Sequence, residues 1–338
     1  MLPPAWHPDS LAARLPFLRR RTLLTQGTRA FFTARGYVEV ETPHAVPTPG
    51  EEVHLGAFAT ERVAPDGVRE TLWLHTSPEF AMKRLLVAGA GPIFQLARAW
   101  RNGEGSDLHA PEFTMLEWYR PGAGMASLIE ETTVYLRAVL PPVVTCRGVT
   151  TDLSRIECLT VADAFARYVG ADVLATADDA PALAAAAGAR LRHGETWEDL
   201  FFRLLLERVE PQLGRACPTF LTHWPAAQAA LARRDPADPR VAERFELFVC
   251  GIELANAFVE LTDAAEQRAR FTADRARRHA MTGPDWPLDE DFLAALEFGM
   301  PPAAGIALGF DRLAMIAAGA DRIDQVQWLP NAAVVRPG

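Results

Sequence analysis

Four polar side chains, Glu246, Glu253, Asn256 and Glu260, interrupt the otherwise apolar stretch FELFVCGIELANAFVEL. Burying carboxylates in such company is costly unless a cation compensates them. A hard cation such as Mg²⁺, bridging to polyphosphate oxygens, is the natural compensator. Read as two strands turning at Gly251, the segment places Asn256 and Glu260 on one face, because strand side chains alternate, with Glu246 on the partner strand. Glu253 has the opposite parity to Asn256, so a bulge or bend must separate them if both serve one site. Edge-strand acids facing water would give the same pattern.

A second cluster lies earlier in the chain. In PEFTMLEWYR the alternation puts Phe113, Met115, Glu117 and Tyr119 on one face, so an acid and a phenol can point into one pocket. Arg101 closes the preceding strand, IFQLARAWR, ahead of a polar loop containing Asn102, Gly103, Glu104 and His109. An Arg at a strand end beside such a loop suits a bidentate grip on phosphate. A solvated hairpin with a surface salt bridge has the same look. In the third cluster, running from Gly305 to Arg312, small residues would let a ligand lie against backbone, and Arg312 opens a helix. Helix packing plus a surface Arg is the plainer alternative.

The elements that must position these groups are readable in outline. Residues 17–35 have an amphipathic helical pattern, with Leu23, Leu24, Ala30 and Phe31 near helical spacing, and Gly36 ends it. YVEVETP reads as a short strand closing at Pro43, and 44–70 as loop and hairpin. TLWLHTSPEFAMKRLLVAG reads as strand, turn and helix, with Ser77 as N-cap, Pro78 next and Glu79 following. Helix is expected at 125–140, near 160–169, near 196–209 and at 263–280, with an Ala-rich stretch at 179–189, and 141–240 is looser than the rest. AGIALGFDRLAMIAAGA reads as a strand turning into a helix. Locally paired strands mixed with helices predict an α+β fold around a largely antiparallel sheet.

Composition narrows the classes. The 338 residues, 49% of them hydrophobic, suffice for one large domain, and no apolar run is long enough to span a bilayer. The N-terminus lacks a secretory pattern, and the four cysteines are scattered without CxxC spacing, which fits a reduced, cytoplasmic protein without structural zinc. The net charge of −9 gives no support to a dedicated RNA-binding module.

Taken together, the segments resemble the three signature motifs of class II aminoacyl-tRNA synthetases, in order and spacing. RGYVEVETP, closing at Pro43, is similar to motif 1; FQLARAWRN with HAPEFTMLEWY to motif 2; and ALGFDRLAM to motif 3. TSPEFAMKRLL and RFELFVCGIELANAFVELTDA extend the match, which covers about 17–120 and 240–318 and has the wording of the lysine subgroup. Two departures narrow it. Bacterial lysyl-tRNA synthetases carry an anticodon-binding OB domain ahead of the core, whereas here the core helix starts within the first twenty residues. They also resemble GLGIGIDR in motif 3, where this chain has GIALGFDR and so places Ala307 at a Gly position. Both departures are shared with the elongation factor P–(R)-β-lysine ligases, a family of truncated lysyl-tRNA synthetase paralogues.

The resemblance implies a single class II catalytic domain over 1–338, with a less distinctive insert at about 141–240, no anticodon-binding domain, and dimerisation through motif 1. It implies ATP and Mg²⁺, activation of (R)-β-lysine as an adenylate, and elongation factor P as acceptor. Arg101 and Arg312 would then hold the phosphates of ATP, with Asn102, Gly103, His109, Leu254 and Gly309 in the nucleotide site. Glu246 and Glu253 would hold the metal. Ser77, Pro78, Glu79, Glu117, Tyr119, Asn256, Glu260 and Ala307 would form the amino-acid pocket. Three positions depart from the family. Gly103 stands where the family has an adenine-contacting Glu, with Glu104 after it; LHAPEF lacks an Asn; and Ala257 replaces a Gly. A minimal lysyl-tRNA synthetase, a ligase with a small-molecule acceptor, and an inactive regulatory paralogue are the competing readings.

Overall fold

The computed structural model describes residues 3–280 and 286–330. Helix α1 (Pro8–Thr33) is entered through His7, whose imidazole accepts the Asp9 N–H. Short strands β1 (Val38–Glu39) and β2 (Ala45–Val46) precede the hairpin of β3 (Phe58–Val63) and β4 (Arg69–Leu74). Helix α2 (Glu79–Val87) leads into β5 (Ile93–Trp100), β6 (Glu112–Pro121) and α3 (Met125–Val139). The middle of the chain holds β7 (Val143–Cys146), β8 (Val149–Asp152), β9 (Glu157–Thr160), α4 (Val161–Tyr168), α5 (Ala180–Ala186), α6 (Trp197–Leu204) and β10 (Thr219–Pro225). The last part comprises β11 (Val241–Val249), β12 (Ile252–Val259), α7 (Ala264–Ala280), α8 (Glu290–Gly299), β13 (Ala303–Gly309) and α9 (Phe310–Ala318).

Eight strands form one sheet in the order β1-β5-β6-β13-β12-β11-β10-β9. Every neighbouring pair is antiparallel except β1 with β5 and β9 with β10. The α+β reading with a largely antiparallel sheet is therefore correct. One face of the sheet is backed by α1, α3 and α9. Phe32 of α1 stacks on Phe94 at 4.9 Å and leans on Trp118, while Tyr135 of α3 hydrogen-bonds Thr28 at 2.8 Å. Arg21 of α1 meets Asp311 of α9 at 2.5 Å with both side chains buried, which ties the helix carrying Arg312 to the scaffold. Because side chains alternate, the opposite face of β6 carries Glu117 and Tyr119 and stays free of these helices.

Three expectations need correction. Helix α1 begins at Pro8, and its inward stripe is Leu18, Arg21, Leu24, Thr28, Phe31 and Phe32, so Leu23 and Ala30 face water. The N-cap of α2 is Pro78 rather than Ser77; Ser77 Oγ instead accepts the Glu79 N–H at 3.0 Å. The looser stretch 141–240 contains four strands that no clear alternation announces, two of which, β9 and β10, complete the main sheet. Helices α4, α5 and α6 pack with them around Phe165, Phe201 and Trp224 in a second hydrophobic cluster. Among the described residues, no helix is long and apolar enough to cross a membrane.

Candidate active site

Strand register assembles the site. Gln95, Glu117, Ala307, Asn256 and Glu246 are successive partners across β5, β6, β13, β12 and β11, forming one transverse row. Partners across a ladder project to the same face, so residues far apart in sequence reach one surface. A parallel row brings Tyr119, Gly305, Phe258 and Arg244 alongside. Above these rows lies a cavity of about 400 Å³. The irregularity expected between Glu253 and Asn256 is present: Leu247 pairs with Ala255 and Phe248 with Glu253, so Leu254 is the extra residue of a bulge. That single residue turns Glu253 onto the same wall as Asn256.

One end of the cavity is cationic. Arg312 donates to the Glu253 carbonyl at 2.7 Å and to His109 Nε2 at 2.6 Å, while Gly309 beside it lines the same wall. Burial and the neighbouring Arg312 push His109 below its usual pKa, so a neutral ring accepts from the guanidinium and donates Nδ1–H to Ser106 at 2.8 Å. Arg101 lies over the Phe113 ring at 5.1 Å, and its buried Nε has no partner among the described residues. Two guanidiniums converging on one cavity suit a polyphosphate. Gly103 takes a left-handed backbone (φ +85°) and turns away, and Glu104 lines the cavity 4.0 Å from Arg101. A carboxylate is thus retained on this loop, shifted by one residue.

The other end is acidic. Glu117 is fully buried and accepts hydrogen bonds from Ser77 at 2.5 Å and Tyr119 at 2.9 Å. Burial, then repulsion from Glu79, push its carboxyl up to about 8, against the opposing pull of Ser77, Tyr119 and Lys83. Glu79 lines the cavity, and Glu260 lies behind it. Between them sits Lys83, 2.5 Å from Glu79 and 2.6 Å from Glu260. Burial alone would lower its pKa, yet the two carboxylates outweigh it and raise it to about 12. One internal cation therefore serves two carboxylates, while burial also pushes Glu260 up to about 8. Ala307 lies between Glu117 and Asn256 in the row, so its methyl group sets the width at that point.

Glu246 and Glu253 both line the wall between the two ends. Burial pushes Glu246 up to about 8; Arg244 at 2.6 Å opposes this, and Glu253 and Glu210 reinforce it. Burial and Glu253 likewise push Glu210 up to about 7. Crowded carboxyls of this kind are what a divalent cation relieves. No group of three or more His, Cys, Asp or Glu among the described residues could hold a metal alone. Mg²⁺ needs only one or two carboxylates once phosphate oxygens and water complete its shell, so the pair fits it.

Of the residues singled out from sequence, Arg101, His109, Glu253, Leu254, Gly309, Arg312, Ser77, Glu79, Tyr119, Asn256, Ala307 and Glu246 line this cavity. Glu117 and Glu260 stand behind its wall, and Asn102, Gly103 and Pro78 do not border it. The sequence reading missed Lys83, whose signal was its position four residues after Glu79 on a helix. It also missed Arg244, which holds both Asn256 at 3.0 Å and Glu246. Glu52 went unnoticed too; its carboxyl is pushed up by burial and by Glu79.

Comparison with known proteins agrees with this geometry. Residues 13–333 match the family described as tRNA synthetases class II (D, K and N). The protein named elongation factor P–(R)-β-lysine ligase from Haemophilus influenzae (strain PittGG) is 45% identical over 324 residues, spanning 95% of this chain and 96% of its own. Proteins of the same name from Mannheimia succiniciproducens and Klebsiella pneumoniae are also 45% identical, with the same coverage of both chains. The chain belongs to the class II aminoacyl-tRNA synthetases of the D, K and N type, and within them to the elongation factor P–(R)-β-lysine ligase family.

Proposed function

We propose that this protein uses ATP to convert (R)-β-lysine to its aminoacyl-adenylate and then transfers the aminoacyl group to a lysine side chain of elongation factor P. The observation that carries the reading is one cavity lined by Arg101 and Arg312 at one end and by Glu79, with Glu117 behind its wall, at the other. A substrate with a carboxylate and two ammonium groups, lying between those ends with its ammonium groups at the acids, would put its carboxylate beside a bound triphosphate.

In the first step a carboxylate oxygen attacks the α-phosphorus in line, and the bond to the pyrophosphate oxygen breaks. Arg101 and Arg312 stabilise the charge that develops, their donors being already oriented by Phe113, His109 and Glu253. Glu246 and Glu253 would hold Mg²⁺, which when bound supplies neutralisation of the leaving pyrophosphate. In the second step the neutral ε-amine of the acceptor attacks the acyl carbon. The amide C–N bond forms, the C–O bond to phosphate breaks, AMP leaves with the electron pair, and the amine proton goes to solvent. Holding both reactants in one cavity supplies much of the rate through orientation. We read the chain as one catalytic domain working in the cytoplasm, dimeric through the segment around Pro43. Glu104 on the cavity wall offsets the absence of a carboxylate at Gly103, which weakens the inactive-paralogue reading.

The test is to incubate the purified protein with ATP, Mg²⁺, (R)-β-lysine and elongation factor P, and to weigh the factor by mass spectrometry. Pyrophosphate release and the mass of one added β-lysyl group are expected. Charging of tRNA-Lys with α-lysine while the factor stays unmodified would overturn the reading.

A further inference from the structure

The catalytic cavity does not end at its own rim. His54, Glu198 and Phe202 line it and also line a neighbouring groove of about 740 Å³, whose outer wall includes Arg192, His193 and Glu195. Arg192, His193 and Arg203 in turn border a further depression of about 610 Å³ that also contains Arg190 and Arg208. The shared residues make these one continuous trough, running from the cavity across the segment that joins α5 to α6 and along the outer face of α6.

Its charge changes along its length. The neck is acidic: Glu198 faces both cavity and groove and is held by Arg277 of α7 at 2.7 Å, with Asp199 beside it. The far end is basic, though not uniformly so. Arg203 is matched by Glu195 at 2.6 Å, and Arg192 lies 3.8 Å from Glu207. Arg190 is exposed and makes no ion pair with any described residue. In a chain of net charge −9, an arginine-rich end with Arg190 left unpaired among the described residues, on a trough that opens into the cavity, is a directional feature.

We propose that this trough receives the acceptor protein. The acceptor's lysine side chain enters through the neck, where its ammonium replaces Arg277 as the partner of Glu198, and acidic residues flanking that lysine lie against Arg190 and Arg192. The inference rests on the functional reading above. A protein segment of mixed charge fits better than a nucleic acid, because Glu195, Asp199 and Glu207 stand among the arginines and would repel a phosphate backbone. Complementary charge of this kind acts mainly on encounter and orientation, so it belongs to acceptor binding rather than to adenylate formation.

The experiment compares wild type with the double variant Arg190→Glu, Arg192→Glu in two assays. Amino-acid-dependent ATP–pyrophosphate exchange reports the cavity and should agree within about twofold, which also shows that the variant is folded. Modification of elongation factor P at low salt should show a KM raised by about tenfold or more with kcat little changed. The wild-type KM should rise with salt, and the variant's should not. An unchanged KM with unchanged salt dependence overturns the proposal. So does salt-sensitive tRNA binding that the variant loses, since the arginines would then serve a nucleic acid. If wild type performs the exchange but never modifies the factor, it is the functional reading that has failed, and the docking surface falls with it.

Discussion

Lys83 holds Glu260 at 2.6 Å in a pair whose side chains are almost completely excluded from solvent, at 2% and 0% exposure. The same ammonium reaches Glu79 on the cavity wall. The inner carboxylate thus fixes the lysine, the lysine fixes the outer carboxylate, and the outer carboxylate lines the cavity. The charge at this end of the cavity depends on a residue that does not line it.

Removing that cation leaves two buried carboxylates facing each other. Lys83→Met should therefore destabilise the protein by about 3–5 kcal/mol, the usual cost of breaking a buried pair from one side. Adding Glu260→Gln should recover part of the loss, because it removes the orphaned charge. Urea unfolding of the two variants measures both.

Gly305 has no room for a side chain. A Cβ there would meet Tyr119 Cε1 at 2.3 Å and Glu260 Oε1 at 2.6 Å. Gly305→Ala should push both aside and raise the amino-acid KM by about tenfold or more, since misplacement near 1 Å is already costly at a reacting site. The KM for ATP should hold, because the contact lies at the acidic end. Steady-state kinetics with each substrate varied separates the two.

Glu117 links binding to pH. Its carboxyl is held up near 8 in the empty pocket, chiefly by burial, so much of it is protonated at pH 7. An arriving ammonium favours the ionised form, so binding should release a proton, and affinity should rise with pH until about 8 and then level off. Calorimetry in buffers of different ionisation enthalpy reads the proton directly. Glu117→Gln should reduce the slope, leaving the share of Glu260, whose carboxyl burial also pushes up to about 8.

At the other end, Arg312→Ala should lower adenylate formation by roughly 10²–10³-fold, the scale for loss of one preorganised charge-stabilising donor. The helix α9 remains anchored by Arg21 and Asp311, so the thermal midpoint should change little. Retained pyrophosphate exchange would remove Arg312 from the mechanism.

Ala307 sits between Glu117 and Asn256, where a single methyl group sets the width. Ala307→Gly should shift the ratio of kcat/KM for β- and α-lysine toward α-lysine by about 1–3 kcal/mol, the worth of one carbon in a tight pocket. Competition between the two isomers in pyrophosphate exchange measures it.

Much of the site was legible because strand parity is a strict rule. Alternation alone grouped Glu117 with Tyr119 and required the irregularity that Leu254 supplies. What parity could not say is which strands lie side by side, so the transverse row from Gln95 to Glu246 was hidden. Lys83 was hidden for a different reason: a helical lysine four residues after a glutamate usually lies in water, and only the packing of Phe258 and Phe292 around its ammonium buries it. Strands β7 to β9 escaped because they are only four residues long, and β10 because it is buried on both faces and shows no alternation, so long-range pairing decides.

In the middle of the sheet β6 is bonded directly to β13, its partner from the far end of the chain. Roughly 180 residues of sequence separate them, so this seam is a long-range pairing with a correspondingly high loop-closure cost. The arginine at position 101 is synthesised early, yet it has no companion cation until position 312 has left the ribosome. A chain not yet extended past β13 and into α9 therefore lacks one of the two arginines that line the cationic end.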